Sequence, residues 1–147
     1  MEVPGVALLT MCVMISLGAL SLVPGGWSEG DPNSDGVKKV TAYCVKRYNM
    51  ESNDVTLYNL IKIKSAQQQV QSQAGEVVAG VNYKIVFFIG KTRCRKNGNM
   101  SLTNCPLQTG GNVKRLQCES EVNYVPWEDN ITLQKQTCYP VSGHSTQ

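Results

Sequence analysis

Val77-Val78-Ala79-Gly80-Val81-Asn82-Tyr83-Lys84-Ile85-Val86-Phe87-Phe88-Ile89 is the stretch on which the fold turns. From Val81 onward it alternates in the period of two that a half-buried strand requires, and the segment before it is an apolar turn ended by glycine. Uncharged residues at the tip of a hairpin bury nothing at home, and large apolar groups left at exposed turns point to a partner surface. A second tip of the same kind stands at Val125-Pro126-Trp127, and a Gly25-Gly26 pair follows an apolar leader. The chain therefore reads first as a binder.

Outward from that strand the pattern is consistent. Leu57 to Val70, Val77 to Lys91, Asn112 to Tyr124 and Ile131 to Cys138 read as strands, with turn chemistry at Lys96-Asn97-Gly98-Asn99 and Gly110-Gly111-Asn112. Before them, Val37, Val40, Thr41, Cys44, Val45 and Tyr48 recur at helical spacing, and Ser34 or Asp35 stands where an N-cap is needed. One helix from Asp35 to Asn49 is expected. A long helix followed by antiparallel strands makes an α+β domain in which the helix covers one face of a twisted sheet of about five strands and the other face is solvated.

The first segment stands apart from this domain. Val6 to Val23 is almost wholly apolar and ends in small residues, which reads as a secretory signal spanning residues 1–21, cleaved after Ser21 or, alternatively, after Gly18 or Ala19. A membrane anchor is the competing reading of a run this long. The expected division is residues 1–21 as signal, 22–140 as the folded domain and 141–147 as a flexible tail. Export removes Cys12 and leaves Cys44, Cys94, Cys105, Cys118 and Cys138. Two consecutive local bridges, Cys94 to Cys105 and Cys118 to Cys138, suit the turn-rich second half, although the sequence permits other pairings. Cys44 lies on the apolar stripe of the helix, so a buried free thiol is favoured over a reactive one. The sequons at Asn99 and Asn130 mark expected glycosylation sites of an extracellular protein.

Charge and composition exclude several classes. The formal net charge of +3 becomes about +4 once Glu2 departs, without a basic stripe interleaved with aromatics, so no nucleic acid is expected as partner. His144 is the only histidine and lies in the tail, so neither a Cys-His pair nor a Ser-His-Asp arrangement is available, and no enzyme is expected. No Cys-x-x-Cys or His-rich spacing offers a metal site, and no cofactor is implied.

Gly25, the Val78–Gly80 segment, Pro126-Trp127 and the four cysteines, taken in order, resemble the secreted type 2 cystatins, reversible inhibitors of papain-like cysteine proteases. The resemblance spans Gly25 to Cys138. It implies a monomeric, non-covalent inhibitor of cathepsins whose amino-terminal glycine and two hairpins align as a wedge: Gly25 and Gly26, then Gln69, Val77, Val78, Ala79 and Gly80, then Pro126 and Trp127. Leu22, Val23 and Pro24 would enter substrate subsites, with Gly25 as hinge. Plainer roles compete at Val77 (strand core), Trp127 (packing on its own sheet) and Gly25-Gly26 (a linker). The resemblance also implies a legumain-binding loop at Ser52-Asn53-Asp54, with Asn53 presented to the enzyme, against the alternative of an ordinary helix-ending turn.

The chain departs from the family at the first hairpin. Glu76 stands where Gln is expected, and Val70-Gln71-Ser72-Gln73-Ala74-Gly75-Glu76 is an insertion whose removal joins Gln69 to Val77 and restores Gln-Val-Val-Ala-Gly. An enlarged, partly polar tip that must desolvate a carboxylate enters a cleft less easily. If instead the extra residues bulge back along the strand Leu57 to Val70, the tip remains usable. The competing reading is a cystatin-fold protein whose inhibition is weakened or lost and which serves as a structural or immune-interaction module.

Overall fold

The computed structural model describes residues 26–70, 80–111 and 113–141. The expected signal, Gly25, Val77, Val78 and Ala79, most of the insertion and the tail beyond Val141 lie outside the described residues. Within them run β1 (Ser28–Glu29), α1 (Asp35–Glu51), β2 (Thr56–Val70), β3 (Val81–Arg95), β4 (Arg115–Val125), a 3-10 turn (Pro126–Glu128) and β5 (Asn130–Pro140). The five strands form one sheet in sequence order, each antiparallel to the next.

The helix begins where its cap was expected: the Ser34 side chain accepts from the Val37 N–H at 3.3 Å, satisfying one of the donors that the first turn leaves free. It runs two residues past the expected end, to Glu51, where the Ser52 N–H donates to the Tyr48 carbonyl. Val37, Val40, Cys44 and Val45 are buried on it and pack over Tyr58, Ile85, Phe87 and Ile89 of the sheet. Each of these large side chains contributes roughly 1.5–3 kcal/mol by leaving water. Cys44 is a free, buried cysteine, and burial pushes its thiol up to about 11, so it stays neutral and packs as a small hydrophobe.

Three strands differ from expectation in their bounds. β3 begins at Val81 and continues beyond Lys91 to Arg95, because past Gly90 its edge is taken over by the loop: Thr92 bridges to Leu107, and the Arg93 N–H donates to the Pro106 carbonyl. β4 starts at Arg115 rather than Asn112, and β5 extends from Asn130 to Pro140. The second face is also less open than expected at that end, since a Cβ placed on Gly90 would meet Ile61 Cδ1 at 3.0 Å and Leu107 Cδ2 at 3.2 Å. Elsewhere it is polar, with Lys62 set over the Phe88 ring. Register shifts in β2 around Ile61 and Lys64 let the sheet curl about the helix.

The bridges pair Cys94 with Cys105 and Cys118 with Cys138. The first closes the loop that abuts β3. The second crosses β4 and β5 at positions that face each other in the register.

Candidate functional site

One end of the sheet gathers the described members of the expected wedge, Gly26, Gln69, Gly80, Pro126 and Trp127. Ser28 pairs with Gln68, so Trp27 and Gly26 continue alongside Gln69 and Val70. Val70 pairs with Val81, Val81 with Tyr124, and Val125 with Asn130. The amino-terminal segment, the first hairpin and the Pro126-Trp127 turn therefore emerge from the same end, in that order across the sheet.

Gly80 locks the two hairpins together. Its φ is +116°, and an added Cβ would lie 2.8 Å from the Tyr124 carbonyl oxygen and 3.1 Å from Val125 Cγ2, so neither the conformation nor the space admits a side chain. Behind it the Asn123 amide donates to Asn82 Oδ1 at 2.8 Å, tying β3 to β4. In the second hairpin Pro126 opens the 3-10 turn and Asp129, at φ 50°, closes it by donating its N–H to the Pro126 carbonyl. No residue of this turn is buried, and Trp127 is 56% exposed, so its ring is not packed into its own sheet. Gly26 has nothing within 4 Å of a built Cβ. Glycine is not sterically required there, and freedom of movement is what it supplies.

Of the expected insertion, Val70 to Glu76, only Val70 is among the described residues. From Ala66–Ile85 to Val70–Val81 the β2–β3 pairing runs without a register shift, so this part of the strand holds no bulge. Val70 is itself a strand residue, about half exposed beside Gln69. Deleting residues 70–76 or 71–77 yields the same sequence, and the register favours the second description.

Several contacts at this end carried no sequence signal. The Trp27 ring holds Lys84 Nζ at 4.3 Å from its centroid, a cation–π contact that lays the amino-terminal segment on the sheet. Lys39 of the helix pairs with Asp129 of the turn, and this hydrogen bond raises the lysine's pKa.

At the opposite end of β2 lies the Ser52-Asn53-Asp54 loop. Asn49, buried beneath it, donates to the Tyr58 carbonyl at 2.9 Å and accepts from the Tyr58 N–H at 2.8 Å, clasping the helix to β2. Its signal was the i+4 spacing from Val45 on the apolar stripe. Asp54 Oδ1 accepts from the Thr56 N–H, and its other oxygen accepts from the Tyr58 hydroxyl and lies 3.5 Å from Lys91 Nζ. Burial pulls the Asp54 pKa up, but these donors outweigh it and the carboxyl sits below its ordinary value. Lys96 Nζ donates to the Ser52 carbonyl and hydroxyl. Between two anchored neighbours Asn53 is exposed. Asn99 and Asn130 are exposed as well, the latter at the foot of the Trp127 turn.

No group of three or more potential metal ligands occurs among the described residues. Nor does any described helix have the length and apolarity to cross a membrane.

Comparison with known proteins gives the class. A cystatin-domain family model matches residues 25–127. Mouse cystatin-D is 34% identical over 122 residues, covering 82% of this chain and 77% of that protein. Human cystatin-C is 32% identical over 115 residues, covering 78% and 73%. Among solved structures, dimeric human cystatin F superposes with a TM-score of 0.71 at 30% identity, covering 84% of this chain and 94% of that one. The chain belongs to the cystatin family, among its type 2 members, and is of the class of cysteine-protease inhibitors, not enzymes.

Proposed function

We propose that this chain is an exported, reversible inhibitor of papain-like cysteine proteases such as the cathepsins, and that it acts by filling the active-site cleft. The observation that carries this reading is the common end of the sheet from which Gly26, Gly80 and Trp127 emerge. Such a cleft is an apolar groove around a thiolate–imidazolium pair, so occlusion suffices and no covalent step is required. Trp127 supplies rigid apolar area at small entropic cost, and Pro126 presets the turn that presents it. Gly25 and Gly26 would let Leu22–Pro24 settle into subsites, while Gln69 and Val77–Gly80 would form the middle contact. On this reading residues 1–21 are a signal, 22–140 the inhibitory domain and 141–147 a tail, and the protein acts as a glycosylated monomer.

The lengthened connection after Val70 weakens the wedge. Removing residues 70–76 should lower the inhibition constant for papain roughly tenfold, about 1.4 kcal/mol; equal constants for the two forms would refute this. The same lengthening favours a second reading, in which inhibition is lost and the fold serves an interaction role. Titration against papain and cathepsins separates the two.

The Asn53 loop is a proposed second site, for legumain. Its neighbours are anchored by Lys96, Thr56 and Tyr58, which presents Asn53 at little ordering cost. Asn53→Lys should abolish legumain inhibition and leave papain inhibition and thermal stability unchanged. Undiminished legumain inhibition would remove Asn53 from the site.

A further inference from the structure

Between Val77 and Cys118 the sequence contains seven Lys or Arg and no Asp or Glu. The fold delivers most of this charge to the end of the sheet opposite Trp127. Arg93 and Arg95 ride the last residues of β3, Lys114 and Arg115 lead into β4, and the strands touch there through the Gly90–Arg115 pair and the Lys91 N–H to Lys114 carbonyl bond. All four side chains are exposed and none has a carboxylate partner among the described residues; Lys38, Lys46, Lys62, Lys64 and Lys135 also lack one, but they are spread over α1, β2 and β5 rather than brought to one rim. Like charges left uncompensated on one rim cost self-repulsion, which a bound polyanion relieves.

We propose that this basic rim binds a sulfated polysaccharide of the heparin type. The four charges are spread around an end rather than converging on a point, so they fit a chain of anions better than a single ion. Guanidinium groups form bidentate hydrogen bonds with tetrahedral oxyanions. The exposed residues of the neighbouring loop are polar, among them Asn97, Asn99, Ser101 and Thr103, and the exposed Val55 and Tyr139 at this end stand singly, which is too little for an apolar wedge in a bilayer or a stacking platform for successive bases. The inference goes beyond cleft occlusion and rests on that reading only for export, which brings the protein to such polymers. Bound this way, the inhibitor would keep its wedge free.

The test is affinity for immobilised heparin as a function of salt, using the secreted product of the full chain. Counterion release predicts a steep loss of affinity with salt, and Arg93→Ser/Arg95→Ser/Lys114→Ser/Arg115→Ser together should weaken binding roughly tenfold or more at physiological ionic strength. Replacing Lys38, Lys39 and Lys46 of the helix by Ser should change it less than about twofold, because net charge alone is not the determinant. Arg95→Gln and Arg115→Gln singly should each weaken binding measurably, which guards against a multiple variant that fails to fold. Papain inhibition, measured on every variant with and without heparin, should not move. Equal losses from the rim and helix sets, no retention of the parent protein, or equal binding to desulfated heparin, an oligonucleotide or phosphatidylserine vesicles would overturn the proposal. Failure of cleft occlusion would appear instead as absent papain inhibition with heparin binding intact.

Discussion

The two ends of β2 are built on opposite plans. At the Val70 end the tip itself carries no buried bonds: strand pairing, the Gly80–Tyr124 contact and the Asn123–Asn82 bond hold the frame behind it, Trp27–Lys84 and Lys39–Asp129 are surface contacts, and no residue of the Pro126–Glu128 turn is buried. At the Thr56 end side chains do the holding, with Asn49, Asp54 and Lys96 each bonded to backbone groups of neighbouring segments. A surface meant to enter an apolar groove cannot carry buried hydrogen-bond obligations, since each would be an unpaired polar group inside the partner. A surface meant to keep one residue in a fixed pose needs them. On the proposed assignment, binding and stability separate by position along one strand.

The largest expected effect tests the wedge end. Trp127→Ala should weaken papain inhibition by roughly 2–4 kcal/mol, as a central aromatic anchor does, while the melting temperature barely changes because the ring is 56% exposed. A large loss of stability with little loss of inhibition would invert the assignment.

Next in size is the clasp. Asn49→Ala removes both bonds to the Tyr58 backbone and leaves a buried N–H and C=O unpaired, a cost of about 2–4 kcal/mol in chemical denaturation. Inhibition by the fraction still folded should be unchanged. If affinity fell in proportion to stability, the two ends would be coupled and the comparison would fail.

The smallest effect is a pH dependence. The folded pKa of Asp54 lies below its ordinary value, so its contribution is present above the unfolded pKa and is lost as pH falls through the folded one. Asp54→Asn should therefore flatten part of the acid limb of stability against pH and leave the neutral limb shallow. An unchanged acid limb would show that the carboxylate is not a net stabiliser of the loop.

Much of this was legible beforehand. The α1 stripe and the alternation in β3 carry their periods openly, because burial on one face leaves a period of 3.6 or of two in the sequence itself. The Pro126-Trp127 turn and Gly80 were legible because proline and glycine restrict or free the backbone locally. Less visible were the ends of β3 and β4. Pairing of Arg93 with Pro106 extends β3, and that pairing depends on where a distant loop lands. The Trp27–Lys84 and Lys39–Asp129 contacts join residues far apart in sequence, and no local pattern encodes them.

One helix, four of the five strands and the family resemblance could be read from the chain alone, since each is written in local spacing or composition. That β2 pairs regularly as far as Val70, that β1 exists at all, and that Arg93, Arg95, Lys114 and Arg115 share the end away from Trp127 emerged with the tertiary structure alone. Those outcomes depend on register, which a strand acquires from its neighbours rather than from its own residues.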